Sequence, residues 1–111
     1  MSDCIQVITT TANREEAETI ARALVEERLA ACVQIVGPIT SVYRWQRRIE
    51  TSSEWQCLIK SRQTLWEPLL AAIRRLHSYQ VPEILVLNVT AGNPDYLAWL
   101  AAETPTLPSL P

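Results

Sequence analysis

The order in which strand-like and helix-like segments follow one another is the strongest constraint in this sequence. The first segment, CIQVITT at residues 4–10, is short and rich in β-branched residues, which favours a buried strand. A helix signal follows, because Asn13 can act as a cap, Glu16 completes a capping box, and apolar residues recur at a 3.6-residue spacing. We expect this helix to end near Ala30 or Ala31.

Two longer strands come next and form a hairpin. Residues 32–46 predict a strand that Gly37 and Pro38 interrupt. Because proline cannot donate to a sheet ladder, this pair indicates a bulge, a bend or an edge position. Residues 46–48 are the expected reversal, and the return strand covers residues 49–61, where apolar and polar side chains alternate.

A second helix and a fourth strand complete the pattern. The helix opens around residues 64–68, with Pro68 in or just before its first turn. Residues 84–90, ILVLNVT, are apolar on both faces, so we expect a central strand there. A short last helix begins at Asn93, which proline follows, and ends near Glu103.

The resulting order is βαββαβ plus a short C-terminal helix. This is the ferredoxin-like plan of the α+β class, in which four antiparallel strands carry two helices on one face. Since 111 residues leave no length for a second domain, we assign residues 1–103 to one domain and residues 104–111 to a proline-rich, extended or disordered tail. The other face of the sheet is open, and apolar side chains on it predict self-association.

Composition and charge exclude several classes of partner. The formal net charge is −2 and no basic run is longer than two residues, which argues against nucleic acid. Apolar runs reach about five residues, far below the roughly 20 that cross a bilayer. The first residues lack the pattern of a secretory leader, and the three cysteines form no CxxC pair. We therefore expect a cytoplasmic protein with reduced thiols and with neither nucleic acid nor membrane as a partner.

Catalytic motifs are missing from the sequence. With Gly37 and Gly92 as the only glycines, a glycine-rich phosphate loop is excluded, and GxSxG and HExxH do not occur. The single histidine, His77, has no nucleophile and orienting acid near it in the sequence. We predict that the protein is not an enzyme.

Candidate binding residues lie in two segments. His77 is either a histidine at a helix C-terminus or a ligand, since Tyr79 and Glu83 follow it on the way to the fourth strand. An imidazole with a carboxylate suits a divalent transition metal, but two such groups form a weak, open site. Tyr43 and Trp45 lie on one face of the second strand, where they either pack against another protomer or stack on a ligand.

Further candidate residues are a lysine and three aromatic side chains. Lys60, near the end of the third strand, either neutralises a bound anion or stays a solvated charge. Trp55 is a second candidate, beside Trp45, for a place where protomers meet. Tyr96 and Trp99 lie three residues apart, hence on one side of the last helix, and we interpret them as the anchor that docks it.

Four separated motifs resemble the CutA family of divalent-cation tolerance proteins. They are LAAC at residues 29–32, SVYRW at 41–45, HSYQVPE at 77–83 and DYLAWL at 95–100. The resemblance runs over residues 4–102. It implies a compact homotrimer of ferredoxin-like subunits, similar in architecture to PII signalling proteins, with a role in tolerance to copper and other divalent metals and with no accepted catalytic mechanism.

The chain departs from the family's pattern at two places. Arg47 stands in the hairpin where the family often has glycine, and a left-handed turn residue there would cost arginine about 1 kcal/mol. Thr9 or Thr10 stands where the family often has cysteine, so a soft thiolate ligand for Cu(I) is missing.

These observations predict a non-enzymatic homotrimer that binds Cu²⁺ or another divalent cation weakly through His77 and Glu83 near a subunit interface, with no required cofactor. The residues expected to complete the cleft, in part from a neighbouring chain, are Tyr43, Trp45, Lys60 and Tyr79. The alternative is a PII-like sensor or scaffold that takes a small anionic metabolite or a protein partner in the cleft between subunits.

Overall fold

The structure, a computed structural model, describes residues 3–105. Its strands are β1 (Cys4–Thr11), β2 (Cys32–Trp45), β3 (Arg48–Arg62) and β4 (Ile84–Asn88), and its α-helices are α1 (Arg14–Glu26), α2 (Trp66–Leu76) and α3 (Pro94–Glu103). A 3₁₀ turn at Gln63–Leu65 leads into α2. None of these helices is long and apolar enough to span a membrane. The predicted α+β class and the ferredoxin-like order of elements are confirmed.

The sheet has the strand order β2-β3-β1-β4, and its three pairings are antiparallel. The prediction of a central fourth strand is wrong, because within the chain β4 pairs with β1 alone and lies at an edge. Its apolar residues alternate between the two faces of the sheet: Ile84 and Val86 pack against the core, whereas Leu85 and Leu87 lie on the open face. A strand with apolar side chains on both faces is therefore an edge strand in this sheet.

The core lies between one face of the sheet and the helices α1 and α2. Val7 of β1 is fully buried there, together with Ile20 and Leu24 from α1 and Leu69 and Ile73 from α2. Burying a side chain of this size contributes about 1.5–3 kcal/mol relative to leaving it in water. The hydrophobic stripe of each helix therefore fixes its position on the sheet.

Helix α1 begins where the sequence predicts and ends earlier. The side chain of Asn13 accepts a 2.8 Å hydrogen bond from the backbone N–H of Glu16, which is one half of a capping box, whereas the Glu16 carboxylate accepts from the backbone N–H of Ser78 at 3.4 Å. The helix stops at Glu26 because Arg28 takes a left-handed conformation (φ 59°). The N–H groups of Arg28 and Leu29 then bond back to carbonyls of the last turn at 3.1 and 2.9 Å, which closes a Schellman motif.

A β-bulge interrupts β2 at residues 37–38, on the edge strand where the proline predicted one. The Cα pairing passes from Val36 with Gln56 to Ile39 with Glu54, so two residues of β2 oppose one of β3. A bulge of this kind shifts the side-chain alternation of its strand by one residue. The odd-numbered residues of β2 beyond the bulge consequently lie on the open face.

Trp55 is the residue of β3 that opposes the bulge, and it lies on the helix-bearing face. Its ring packs against the core, and the guanidinium of Arg14 stands 5.6 Å from the ring centroid. A Cβ atom at Gly37 would come within 2.5 Å of this ring, so the glycine lets the backbone approach it closely. Trp55 therefore lies on the face of the sheet opposite to Trp45, and its place at a contact between protomers stays a prediction.

Helix α3 packs against β1 and β3 at one end of the open face. Leu100 is its buried residue, whereas Tyr96 and Trp99 stack on each other at 5.5 Å and stay exposed. Burial and the neighbouring thiol of Cys32 raise the pKa of Tyr96, so this side chain contacts β2 although it is 41% exposed. The buried anchor of α3 is Leu100, and the predicted anchor is correct only for the contact that Tyr96 makes with Cys32.

Thr104 belongs to the folded domain although the sequence placed it in the tail. It is fully buried, its hydroxyl donates to the carbonyl of Leu100 at 2.7 Å, and its own carbonyl accepts a 3.0 Å hydrogen bond from Arg62. The predicted tail otherwise falls mainly on residues 106–111, which lie outside the described part of the chain.

Candidate functional site

A cleft of about 540 Å³ lies between the open face of the β2–β3 hairpin and the connection from α2 to β4. The residues that line it are Thr10, Ser41, Val42, Tyr43, Trp45, Glu54, Tyr79, Gln80, Val81 and Glu83. Four predicted site residues, Tyr43, Trp45, Tyr79 and Glu83, are thus brought together, whereas His77 and Lys60 are not among the lining residues.

The aromatic wall of the cleft depends on the bulge in β2. Because the bulge shifts the alternation, Tyr43 and Trp45 share the open face with Glu54. The hydroxyl of Tyr43 forms a 2.6 Å hydrogen bond with that of Ser52 across the hairpin, while Trp45 is nearly half exposed. The open face of the hairpin therefore carries two aromatic side chains next to each other in the alternation of β2.

The inner end of the cleft is a carboxylate that the sequence did not single out. Glu54 is only 8% exposed, and its Oε2 accepts a 2.8 Å hydrogen bond from the hydroxyl of Tyr79. Its Oε1 has no hydrogen-bond partner among residues 3–105. Alternation along β3 placed Glu54 on the open face, but no local signal could show that a tyrosine from a distant loop would cover it.

Burial and the hydrogen bond to Glu54 together raise the pKa of Tyr79 well above its usual value. Burial acts by removing water from the phenol, and the carboxylate acts because it accepts the phenolic proton and repels a phenolate. Tyr79 therefore remains a hydrogen-bond donor across the physiological pH range. The Glu54–Tyr79 pair ties the connection between α2 and β4 to the sheet.

His77 organises this connection from the buried side. Its side chain is fully buried, and Nε2 lies 2.8 Å from the carbonyl oxygen of Thr10, one residue beyond the last β1–β4 pair. The backbone N–H of Tyr79 donates to Nδ1 at 3.1 Å, and the two rings stack at 4.9 Å. Since a carbonyl can only accept, Nε2 carries the proton, and both ring nitrogens are occupied.

A third neighbour of the histidine does not alter this assignment. Nδ1 of His77 lies 3.5 Å from a carboxylate oxygen of Glu16, which is too long for a hydrogen bond. With Nδ1 accepting from Tyr79, the ring is neutral and the contact is not an ion pair. In this arrangement His77 offers no lone pair to a metal.

The predicted metal pair is consequently split between two surfaces. Glu83 lines the cleft, whereas His77 is buried behind it. Across residues 3–105, no three side chains of histidine, cysteine, aspartate or glutamate are close enough to hold a metal ion. The donors that face the cleft are mainly oxygens, which suit hard divalent cations better than soft ones.

Lys60 stands at the other end of β3. Its ammonium donates to the side-chain oxygen of Gln34 at 3.0 Å. Glu54 lies six residues earlier in the strand, which corresponds to about 20 Å at the rise of an extended chain. Lys60 therefore cannot reach the cleft of its own chain.

Comparison with known proteins identifies the family. The profile described as "CutA1 divalent ion tolerance protein" matches residues 5–103. The chain belongs to the CutA1 family. The resemblance drawn from the four sequence motifs is confirmed.

CutA proteins of known sequence and structure match nearly the whole described chain. The "Divalent-cation tolerance protein CutA" of Thermus thermophilus is 46% identical over 98 residues, which are 88% of this chain and 95% of that protein. "Protein CutA, chloroplastic" of Arabidopsis thaliana is 44% identical over 90% of this chain, which spans only 55% of that relative. The crystal structure of CutA from Xylella fastidiosa superimposes with a TM-score of 0.91 at 39% identity and covers 94% of this chain and 100% of its own.

These names describe tolerance to divalent cations and not a catalytic activity. The solved CutA fold covers 94% of this chain, and the cleft beside the hairpin carries charged and aromatic side chains together.

Proposed function

We propose that this CutA1 protein acts in divalent-cation tolerance as a non-catalytic homotrimer of PII-like architecture, and that its cleft binds Cu²⁺ or another divalent cation weakly. The observation that carries the proposal is the position of Glu54 and Glu83 in one cleft, next to an apolar sheet face that remains uncovered in the single chain. A cytoplasmic location and the absence of a required cofactor stay predictions of the sequence.

The uncovered sheet face supports self-association. Val36, Leu85 and Leu87 are 43%, 55% and 49% exposed on it. Large exposed apolar side chains on one face mark an interaction surface in soluble proteins. Closed symmetric assembly of identical chains is the usual way of covering such a surface.

The lining of the cleft supports a weak site for a divalent cation. Glu83 is exposed at the cleft and Glu54 offers one free carboxylate oxygen. Two carboxylates without a third protein ligand leave most coordination positions to water, which limits affinity. His77 could join them only if its ring left the Thr10 carbonyl, so we assign Glu83 as the first ligand.

Calorimetry with CuCl₂ tests the metal site. We expect saturable binding that Glu83→Gln weakens at least tenfold, while Glu67→Gln, an exposed carboxylate on α2 outside the cleft, leaves it unchanged. Equal binding by both variants would contradict the assignment. Sedimentation velocity tests the assembly: a monomer at micromolar concentration would overturn the trimer.

A sensor of a small organic molecule is the second candidate, and the aromatic wall of Tyr43 and Trp45 favours it. An anionic metabolite fits poorly, because the charged residues among those lining the cleft of one chain are Glu54 and Glu83. Lys60 could contribute only from a neighbouring chain. A thermal-shift screen of carboxylates, nucleotides and amines distinguishes an anionic from a cationic ligand. If no compound raises the melting temperature, the sensor hypothesis is contradicted.

A further inference from the structure

We infer that the cleft selects an organic cation, an alkylammonium group whose N–H donates to Glu54 while its apolar stem packs against Tyr43 and Trp45. This inference rests on the proposed function, because it uses the same cleft and names a class of ligand for it. A ligand of this class differs in charge from the anionic metabolite that the sequence suggested.

The free oxygen of Glu54 is the first argument. Glu54 is more than nine-tenths buried and Tyr79 satisfies Oε2, whereas Oε1 has no hydrogen-bond partner among residues 3–105 and reaches solvent at the cleft. A carboxylate that is largely shielded from water gains from a charged hydrogen-bond donor. Since Tyr79 fixes the rotation of the carboxylate, the unpaired oxygen is held in place before a ligand arrives.

The charge of the lining is the second argument. Glu83 adds another carboxylate, and no lysine, arginine or histidine lines the cleft in the described part of the chain. An anion would meet two like charges in a concave, partly desolvated site, where repulsion is stronger than in open solvent. A cation is attracted by both.

The aromatic wall is the third argument, and it points to an organic cation. Tyr43 and Trp45 line a cleft whose volume, about 540 Å³, falls in the range of small-molecule sites. Aromatic faces attract ammonium groups and pack against alkyl chains, whereas a hydrated metal ion makes little use of them. Carboxylate and ring together therefore match a molecule with a charged head and an apolar stem.

Three probes of equal length and different charge test the inference on the full chain at pH 7. We expect n-butylammonium chloride to bind in saturation-transfer NMR and calorimetry at least tenfold more tightly than 1-butanol, and sodium butyrate not to bind. Glu54→Gln keeps an acceptor for Tyr79 and should weaken butylammonium at least tenfold. Glu50→Gln is the matched control, because Glu50 lies on the same strand but does not line the cleft.

The inference is overturned if 1-butanol or butyrate binds as tightly as butylammonium. It is also overturned if Glu50→Gln and Glu54→Gln change the affinity for butylammonium equally. If butylammonium does not bind while Cu²⁺ binds and Glu83→Gln weakens that binding, the inference is wrong and the proposed function is retained. If Glu54→Gln does not fold, Trp45→Leu replaces it: Trp45 is nearly half exposed, and a loss of at least fivefold is expected.

Discussion

The hydroxyl of Tyr79 donates a 2.8 Å hydrogen bond to the buried carboxylate of Glu54, 25 residues away in the sequence. This contact joins a loop to the open face of β3 and closes the inner end of the cleft. It holds one oxygen of Glu54 and leaves the other facing the cleft. The geometry of the candidate site therefore depends on a pair of residues that come from different elements.

Tyr79→Phe removes this hydrogen bond and leaves a buried carboxylate without its donor. Stranding a buried charged acceptor costs about 1–3 kcal/mol, so we expect the free energy of unfolding to fall by that amount in urea denaturation. Tyr43→Phe is the matched control, because the hydroxyl of Tyr43 bonds to Ser52 in an exposed position and water can replace it. Equal losses in both variants would show that the Glu54 contact carries no special weight.

His77→Ala tests whether the histidine is structural. Its ring caps the Thr10 carbonyl and accepts from the Tyr79 N–H, so the variant should lose about 1–3 kcal/mol of stability and hydrogen-exchange protection at Tyr79. Long-range ¹H–¹⁵N NMR of the native protein should show the Nε2–H tautomer. A variant of unchanged stability that binds Cu²⁺ at least tenfold more weakly would instead identify His77 as a ligand.

The sequence predicted the elements well because each depends on local signals. Asn13 and Glu16 cap α1 by a contact within one turn, and the alternation along β3 correctly separated the buried residues Cys57 and Ile59 from the open face. The end of α1 was misplaced because the left-handed conformation of Arg28 has no signature in an arginine.

The site was predicted only in part, since it joins residues that are distant in the chain. Tyr43, Trp45, Tyr79 and Glu83 share the cleft, as expected, but Glu54 acquires its role only through Tyr79. His77 caps the backbone because its ring lies against the carbonyl of Thr10, which is free to accept since the β1–β4 pairing ends one residue earlier. No local pattern in the sequence determines where that pairing ends.

The stability of the protein should fall between pH 9 and 11 through Cys57. Burial raises the pKa of this fully buried thiol to about 11, from an ordinary value of 9.0. Above pH 9 the unfolded chain releases the proton while the native state keeps it, so the free energy of unfolding decreases with pH and the contribution is lost by about pH 11. Urea titrations from pH 8 to 11 measure the decline. Cys57→Ala should make it shallower, and an unchanged slope in this variant would contradict the assignment to Cys57.

Gly37→Ala should destabilise the bulge of β2. The added methyl group would lie 2.5 Å from the ring of Trp55, which is packed between the bulge and the core and cannot move freely. Overpacking of this kind costs about 1–3 kcal/mol. At Gly92 the nearest atoms are the ends of the flexible Leu97 side chain at 3.3 Å, so Gly92→Ala should cost less in thermal unfolding. The reverse order would contradict the tight packing of Trp55 on the bulge.

Arg47→Gly should stabilise the hairpin that carries the aromatic wall. Gln46 and Arg47 both have positive φ, 49° and 69°, as a two-residue turn matched to the twist of the strands requires. A side chain in the left-handed region costs about 1–2 kcal/mol, and glycine removes that cost while giving back part of it as entropy of the unfolded chain. We therefore expect a net gain of about 0.5–1 kcal/mol in urea denaturation. Arg48→Gly, one residue later in β3, should instead destabilise, because a glycine within a strand is unfavourable. If Arg47→Gly also destabilised the protein, the backbone strain assigned to Arg47 would be contradicted.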